Sequence, residues 1–476
     1  RRHPLGPTIP GRTGRVMLGE LEKTFTEYRD RLATKGVLVE RGAIENGMGL
    51  LRRHLGTGLW LLVTDPETDE AAGARVRDAL ERAGQAWTPW QPALHGGGSD
   101  GGGTGTGAAS GAEPVCDEDS VAACRDAVLK AGAVAVLAVG SGTLNDIAKF
   151  GAHKAGVPAG CIATAPSMNG YTSAIAAVLS GGVKTTQPAT PTRVVIGDVD
   201  VLAAAPARLI QSGIGDLASK PVSNADWIIS ARLTGSTHSV DAERIIEASS
   251  RLLDGVAPGL ARRDPEAVER LTASLILSGF AMTVAGSSAP ASGGEHLVSH
   301  YLDMVAIAKG QEHDLHGRQV GVGTLTAAFL YEKLHGLDPA DIVPDDLAER
   351  LSPWEEHAAL VRERFGSLSA TVLPHAEAGY PVRETLRARM ATLRDQWRGI
   401  LAELDGTLRS AADIEAELAA AGAPTRFRDL GVSRDRAYES IAWSRDIRSR
   451  YTVLDLVWEL GYLDEWAEQA VERFYE

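Results

Sequence analysis

Ala-Gly-Ala-Val-Ala-Val-Leu-Ala-Val, residues 131–139, is an apolar run that ends in Gly140-Ser141-Gly142, and helical periodicity follows over Leu144–Ala155. This order predicts a buried β-strand, a glycine turn and a helix. Three further short apolar runs predict strands at Leu59–Thr64, Cys161–Ala165 and Val194–Asp198. Strands that alternate with helices in this way predict an α/β fold, with a Rossmann-like parallel sheet between two layers of helices.

The composition of the sequence changes after about residue 200, where glycine becomes less frequent and long amphipathic segments follow one another. We therefore predict an irregular arm over 1–20, an α/β dinucleotide-binding domain over 21–205 and an all-helical metal- and substrate-binding domain over 206–476. The glycine-rich segment 96–111 is expected to be a flexible surface insertion, because no strand leads into it and no helix opens directly after it. The predicted helices of the C-terminal domain include Arg244–Leu253, Glu266–Val284, His296–Ile307, Val320–Leu334 and Arg383–Leu401.

Composition excludes several classes of function. The chain has 476 residues, 44% of them hydrophobic, and a net charge of −14, which argues against non-specific binding to nucleic acid or to an anionic membrane. No apolar run approaches the ~18 residues of a spanning helix, and the start does not look like a secretory signal. Three cysteines form neither a disulfide framework nor a zinc motif, so a cytoplasmic setting is expected.

Two segments near predicted strand ends suggest a nucleotide site. Gly140, Ser141, Gly142 and Thr143 open a helix, where glycines and the helix N-terminus suit a pyrophosphate, although the third glycine of the dinucleotide motif is absent. The alternative is a structural turn, with Asp146 complementing the helix dipole. Asp65 follows another strand and suits ribose hydroxyls, which would favour NAD over NADP, but an Asp-Pro turn explains it equally well.

The loop of residues 164–173 also follows a predicted strand. It is rich in hydroxyl groups and lies where open α/β sheets bind ligands. The alternative is an ordinary loop between strand and helix, with a serine or threonine as helix cap.

Four of the twelve histidines lie within residues 296–316. His296 and His300 share one helix face at i, i+4, and His313 and His316 follow, so the cluster suits a divalent metal. A carboxylate from elsewhere is needed, and Asp216 is a candidate that we place in a glycine-flanked break between helical stretches. The alternative is a set of surface or capping histidines.

Together these motifs resemble the sn-glycerol-1-phosphate dehydrogenases, most closely the bacterial branch. That family belongs with glycerol dehydrogenase, the iron-containing alcohol dehydrogenases and dehydroquinate synthase. The resemblance runs from about residue 40 to the end, without the glycine-rich insertion, and is loose over roughly 340–440. The motifs that carry it are Gly-Ser-Gly-Thr-x-x-Asp at 140–146, Thr-x-Pro-Ser-x-x-Gly at 164–170, Gly-x-Gly-Asp-x-x-x-Lys at 213–220, Glu-His-x-x-Ser-His at 295–300, His-Gly-x-Gln-Val-Gly at 316–321 and Arg-Ser-Arg-Tyr-Thr-Val-Leu at 448–454.

The resemblance implies a role for each matching residue. Asp216, His296 and His316 would bind zinc, nickel or iron(II), and His300 would contact the substrate. Lys220 would neutralise a substrate phosphate, unless it lies along the surface. NAD(H), with NADP(H) as the alternative, would be bound by Asp65, Gly140, Ser141, Gly142, Thr143, Asp146, Thr164, Ser167 and Ser173.

One residue departs from the family pattern. Asn169 stands where the family usually has an aspartate that contacts substrate. Asparagine keeps the shape but loses the charge, so either a hydrogen bond suffices there or the substrate differs.

The expected reaction is the reduction of dihydroxyacetone phosphate to sn-glycerol 1-phosphate, in a cleft between the two domains. His300 would relay a proton or hold the substrate. The alternatives are a relative that acts on another polyol or phosphorylated substrate, a redox-neutral cyclase that regenerates bound NAD, and a non-catalytic pseudoenzyme. Relatives assemble, so a homodimer or larger homo-oligomer is expected.

Overall fold

The computed structural model describes residues 19–95, 113–180 and 183–476. The predicted arm, apart from residues 19 and 20, and the glycine-rich insertion over 96–111 lie outside the described residues. The strands are β1 Gly36–Glu40, β2 Trp60–Val63, β3 Trp87–Trp90, β4 Leu94–His95, β5 Glu113–Pro114, β6 Ala135–Gly140, β7 Ala159–Ala163, β8 Ile175–Ser180, β9 Val183–Pro188 and β10 Val194–Asp198.

Helices flank the sheet and form the C-terminal half. Those up to residue 204 are α1 Gly19–Tyr28, α2 Ala43–Asn46, α3 Met48–Leu55, α4 Pro66–Thr68, α5 Ala74–Arg82, α6 Glu118–Ala131, α7 Gly142–Ala155 and α8 Val199–Ala204. Those after it are α9 Ala207–Ala218, α10 Lys220–Thr234, α11 Val240–Leu253, α12 Ala257–Ala261, α13 Pro265–Ala285, α14 Gly294–Ala308, α15 His316–His335, α16 Pro344–Glu349, α17 Trp354–Phe365, α18 Ser369–Gly379, α19 Arg383–Asp395, α20 Trp397–Asp405, α21 Ala411–Ala420, α22 Arg434–Ala442, α23 Val453–Glu459 and α24 Leu463–Phe474.

The main sheet has six strands in the order β1-β10-β7-β6-β2-β3, and every neighbouring pair is parallel. Its central strands β6, β7 and β10 are buried along their whole length, which explains their continuous apolar sequences. The predicted fold class, a Rossmann-like parallel sheet followed by a mainly helical region, is confirmed. The division into domains at residue 205 stays a prediction.

The sequence analysis missed several strands. β1 and β3 form the two edges of the main sheet and are only partly buried, so their residues lack the long apolar run that marks a central strand. β8 and β9 form an antiparallel hairpin between residues 175 and 188, where the sequence is short and mixed in polarity. This hairpin lies directly after the loop of residues 164–173, and the N–H of Ala177 on β8 donates to Asp146 of α7.

The helical region is built around α13. Its interior positions, among them Leu275, Ile276 and Phe280, have no exposed surface. By length and composition α13 would suffice to cross a membrane, the one such helix among the described residues, but 83% of its apolar window is buried inside the protein. It is therefore the core helix of this region. The single helix predicted over Arg383–Leu401 is instead two helices, α19 and α20, that meet at Gln396.

Candidate active site and metal centre

The nucleotide-loop candidates lie at the carboxyl ends of adjacent strands. β6 and β7 pair with each other, so the loops that follow Gly140 and Ala163 meet at one edge of the sheet. Ser141 precedes α7 but makes no side-chain cap hydrogen bond, and a Cβ at Gly142 would meet only Met168, at 3.9 Å. The first turn of α7 therefore offers backbone N–H groups and an open approach, which suit a phosphate group. Thr143 is exposed on the same turn.

The two acidic candidates of the nucleotide site both have structural partners. Asp65 caps α4, and its side chain accepts a hydrogen bond from the backbone N–H of Thr68 at 2.7 Å. Asp146 forms an ion pair with Lys149 at 3.0 Å and accepts a hydrogen bond from the N–H of Ala177 at 3.1 Å, which ties α7 to the β8–β9 hairpin. Contacts of either carboxylate with a dinucleotide stay predictions.

The loop of residues 164–173 packs between the sheet and the helical region. Thr164 and Ser167 are buried at its start, and Ser173 is fully buried, with its hydroxyl near the carbonyl oxygens of Gly170 and Ile175, each at 3.2 Å. The carbonyl of Ser167 accepts a hydrogen bond from Ser212 of α9 at 3.0 Å. The loop therefore connects the nucleotide loops to the helices that carry the predicted metal ligands.

Asp216 lies inside α9, and its prediction in a break between helices is wrong. The flanking glycines serve close packing instead. A Cβ at Gly213 would fall 1.9 Å from the carbonyl oxygen of Pro166, and one at Gly215 would fall 2.1 Å from that of Gly317. Only glycine permits this approach, which brings α9 against both the loop after β7 and the N-terminus of α15.

The structure brings together three of the four clustered histidines. The ring of His296 lies 5.2 Å from that of His316 and 6.0 Å from that of His300, centroid to centroid, and the rings of His300 and His316 stack at 5.4 Å. His296 Nε2 lies 3.6 Å from Asp216 Oδ1. His313 makes a different contact, with its Nδ1 3.1 Å from Asp303 Oδ1. The four predicted catalytic residues therefore come from three helices, α9, α14 and α15, to one place.

Hydrogen bonds orient both predicted histidine ligands. His296 Nδ1 lies 2.7 Å from Glu295 Oε1, so this nitrogen donates to a carboxylate. Ser299 Oγ donates to Gln319 at 2.8 Å and lies 2.9 Å from His316 Nδ1, so it accepts from that nitrogen. A neutral ring that carries its proton on Nδ1 has its lone pair on Nε2, which is the form that binds metals.

The carboxylate of Asp216 is buried and surrounded by positive groups. Lys220 donates to its Oδ1 at 3.1 Å. Burial alone would raise the pKa of Asp216, but the charge of Lys220, followed by the interaction with His296, holds it well below its usual range. Burial would lower the pKa of His296, but hydrogen bonds with Asp216 and Glu295 raise it above its usual value.

Lys220 is 1% exposed, so the alternative that it lies along the surface is wrong. Its ammonium group is used within the protein, because it also donates to Ser219 at 3.2 Å and to the carbonyl of Ala291 at 3.1 Å. Its predicted contact with a substrate phosphate stays a prediction.

Asn169 reaches Asp216 from the loop after β7. Its backbone N–H lies 3.2 Å from Asp216 Oδ2, and its side-chain amide nitrogen lies 3.4 Å from Oδ1 and 3.3 Å from Ser278. An aspartate at this position would place a second carboxylate against Asp216. The amide instead donates to it, which explains how asparagine is accommodated here.

The donor set fits a divalent cation in type and orientation. With Nδ1 of His296 bonded to Glu295, its Nε2 lies 3.6 Å from a carboxylate oxygen of Asp216. A proton on Nε2 accounts for the raised pKa of this ring, and a metal ion would take the place of that proton. Aspartate oxygen and histidine nitrogen suit zinc, iron and nickel. Among the described residues, however, no group of three such side chains stands at metal-holding geometry. The ligand set stays a prediction.

Sequence reasoning missed the residues that orient the site. Glu295 hydrogen-bonds to His296, and Ser299 hydrogen-bonds to His316. Arg448 and Arg450, which lie near the site, were part of a sequence motif but were given no role of their own. For Glu295 a signal existed, because a carboxylate directly before a histidine at a helix start can reach that ring. Nothing in the local sequence indicates a role in the site for Ser299, Arg448 or Arg450.

Comparisons with known proteins define the class first. The family model "Iron-containing alcohol dehydrogenase" matches residues 103–206. The fold resembles glycerol dehydrogenase from Schizosaccharomyces pombe, with a TM-score of 0.57, 16% identity and coverage of 92% of this chain and 91% of that one. It also resembles NADH-dependent butanol dehydrogenase A from Thermotoga maritima, with a TM-score of 0.55, 15% identity and coverage of 94% and 98%. These likenesses show that the chain shares its fold with the iron-containing alcohol dehydrogenases.

Comparison with curated relatives identifies the family within this class. The chain is 36% identical over 270 residues to glycerol-1-phosphate dehydrogenase (NAD(P)+) of Bacillus licheniformis, which covers 56% of this chain and 66% of that protein. It is 30% identical to the protein of the same name from Bacillus subtilis, over 68% of this chain and 69% of that one. It is 34% identical to that of Thermococcus kodakarensis, over 58% and 71%. The chain belongs to the glycerol-1-phosphate dehydrogenase family, and the resemblance seen in the sequence is confirmed.

Proposed function

We propose that this enzyme reduces dihydroxyacetone phosphate to sn-glycerol 1-phosphate with NADH, with NADPH as the alternative donor. The observation that carries the proposal is the convergence of Asp216, His296 and His316 beside the loop that follows β7. Relatives that share at least 30% identity over two thirds of their length carry the name of this activity, which supports the same substrate here.

Asp216, His296 and His316 would hold one zinc, nickel or iron(II) ion. When bound, the metal polarises the substrate carbonyl and the reduced dinucleotide supplies the hydride. Glu295 and Ser299 hold the two imidazole rings in the tautomer that leaves Nε2 for a ligand. His300, one turn after His296, holds the substrate or delivers a proton to its oxygen.

The dinucleotide site and the assembly are also proposed from the family resemblance. The dinucleotide would lie over residues 140–143, with Thr164, Ser167 and Ser173 near its nicotinamide end. We propose a cytoplasmic homodimer or larger homo-oligomer, and the three cysteines, which are buried thiols, suit a reducing compartment.

A second candidate is reduction of a different polyol-type or phosphorylated ketone. It is favoured by Asn169, whose amide contacts Asp216 where the family usually has an aspartate.

Absorbance at the NADH band, followed with metal-loaded protein, tests both candidates. Dihydroxyacetone phosphate is compared with unphosphorylated dihydroxyacetone and other small ketones. Rapid oxidation of NADH that requires the phosphate supports the first proposal. Turnover of another ketone alone supports the second, and Asn169→Asp then tests whether the amide sets the preference. Tight NADH binding without turnover of any ketone contradicts both.

A further inference from the structure

Two arginines, Arg448 and Arg450, lie near the candidate active site and bond to neutral groups of the protein. Among the described residues, neither Arg448 nor Arg450 forms an ion pair, whereas the nearby Arg445 pairs with Asp446 and Asp455. Both residues are half-buried. Burial lowers the pKa of Arg448; burial and then the charge of Arg448 lower the pKa of Arg450 to about 10, although the charges of Glu295 and Asp226 act to raise it. The two positive charges repel each other, and an anion placed between them would remove that repulsion.

The segment that carries the arginines is held rigidly. Arg448 and Thr452, at the two ends of the segment, both have an extended backbone. Tyr451 is buried, and its hydroxyl donates to Glu459 at 2.6 Å. Thr452 caps α23, and the N–H of Val453 donates to buried Asp226 at 2.8 Å. The arginines are therefore preorganised, which reduces the entropy that an anion site must pay on binding.

Arg450 is placed next to the predicted metal ligands. It donates to the carbonyl oxygen of Ser292 at 2.5 Å and to Ser288 Oγ at 2.9 Å. Lys220, which binds Asp216, donates to the carbonyl of Ala291. The two cations thus bind adjacent peptide groups, and consecutive Cα atoms lie only about 3.8 Å apart.

Arg448 contacts the β8–β9 hairpin. It donates to Thr186 Oγ1 at 3.0 Å, on strand β9 of the hairpin. Thr186 is opposite Ala177 in that hairpin, and Ala177 is bonded to Asp146 beside the nucleotide loop. The pair therefore stands between the nucleotide loops and the predicted metal ligands, where the substrate of the proposed reaction must lie.

We propose that Arg448 and Arg450 form the subsite that binds the phosphate monoester of the substrate. This inference rests on the proposed function and assigns its phosphate recognition to residues other than Lys220. Each guanidinium is a planar fork that matches phosphate oxygens, and only two of the five N–H donors of Arg450 are used in the bonds above. A phosphate dianion would neutralise both charges and remove their mutual repulsion.

The first test is kinetic and uses Arg448→Gln, Arg450→Gln and the double variant. For dihydroxyacetone phosphate we expect KM to rise roughly 10- to 100-fold in each single variant, with kcat within about threefold, because a charge-assisted hydrogen bond is lost. KM for unphosphorylated dihydroxyacetone is expected to stay unchanged. Arg450→Lys keeps the charge but loses the fork, so an intermediate rise is expected. Arg428→Gln removes the same charge from an exposed position and is the matched control.

The second test measures binding directly, with inorganic phosphate as the probe. We expect the ³¹P line of inorganic phosphate to broaden with the wild type and with Arg428→Gln, and not with the double variant. The dissociation constant for NADH, followed by fluorescence, is expected to stay within about twofold, because the subsite serves the substrate and not the dinucleotide.

The outcomes separate the inference from the function on which it rests. Wild-type protein that does not oxidise NADH with dihydroxyacetone phosphate contradicts the proposed function, while the ³¹P titration still decides the anion subsite. Normal KM and normal line broadening in the variants overturn the inference and leave the function standing. Weakened NADH binding with an unchanged substrate KM assigns the arginines to a dinucleotide phosphate and also overturns it. If either glutamine variant fails to fold by circular dichroism, Arg450→Lys decides, and a KM equal to wild type overturns the inference.

Discussion

Replacing Glu295 with glutamine tests whether the hydrogen bond at His296 Nδ1 prepares that ring to bind a metal. Glu295 is fully buried, and its Oε1 accepts from His296 Nδ1 at 2.7 Å and from the N–H of Gly293 at 2.9 Å. Glutamine keeps the shape and one acceptor oxygen but loses the negative charge. The proton on Nδ1 is then held less firmly, and Nε2 becomes a weaker donor to a metal.

The expected effect follows from the strength of that bond. A hydrogen bond to a charged group contributes about 1.5–3 kcal/mol, which corresponds to roughly 10- to 150-fold in affinity. Because glutamine still accepts one hydrogen bond, we expect metal affinity to fall about 10- to 100-fold, as is typical for partners of metal-bound histidines.

Global stability is expected to change little in this variant. Glu295 Oε2 is buried without a hydrogen-bond partner in the described part of the chain. Burial, and then the charge of Glu295, raise the pKa of Asp226 to about 7, so the substitution also removes a repulsion between two buried acids. The weaker hydrogen bond to His296 lowers the free energy of unfolding, and the lost repulsion between Glu295 and Asp226 raises it, so the two effects offset each other.

The assay is competition for zinc against a chromogenic chelator, with thermal unfolding followed in parallel. Glu349→Gln is the matched control, because Glu349 is exposed. A metal affinity within twofold of wild type in Glu295→Gln would refute the argument that Glu295 prepares His296 as a ligand.

Two further predictions concern packing and pH. Gly215→Ala places a Cβ 2.1 Å from the carbonyl oxygen of Gly317 and forces α9 away from α15. We expect it to cost about 1–3 kcal/mol in urea unfolding and to weaken metal binding, whereas Gly399→Ala, with nothing within 4 Å of the new Cβ, should be neutral or slightly stabilising. Equal unfolding curves for the two variants would contradict the close approach. Burial raises the pKa of Glu459 from 4.5 to about 7, although Arg389 and Tyr451 act to lower it. The folded state then holds a proton that the unfolded state releases, so this contribution to stability is complete below about pH 4.5 and is lost as pH rises through about 7. Glu459→Gln should therefore flatten the fall in unfolding free energy between pH 5 and pH 8, and an unchanged pH slope would show that Glu459 does not titrate there.

The sequence predicted the parts of the fold that have strong local patterns. β10 begins and ends where the apolar run Val194–Asp198 predicts, and β6 ends in the predicted glycines. The sequence did not predict β1 or the β8–β9 hairpin. These strands are only partly buried, and their residues lack the long apolar run that marks a central strand. Helix–strand alternation alone was enough for the fold class.

The candidate site was predictable only where spacing brings residues together. His296 and His300 are neighbours because they lie one helical turn apart. Asp216 required the family resemblance, and its glycines suggested a break because a close helix contact and a turn both favour glycine. Arg448 contacts Thr186, 262 residues earlier in the chain, and Arg450 contacts Ser292, 158 residues earlier. No local sequence pattern encodes contacts between such distant residues.

The most direct test of the central claim is metal stoichiometry in wild type and His316→Ala, measured by mass spectrometry after metal loading and dialysis. We predict one divalent ion per wild-type chain and less than about a tenth of that in the variant, because the variant loses one of three protein ligands. NADH binding by fluorescence should persist in the variant, because residues 140–143 lie on a different element. Full metal occupancy in His316→Ala, with retained turnover, would contradict the assignment of Asp216, His296 and His316 as the metal centre.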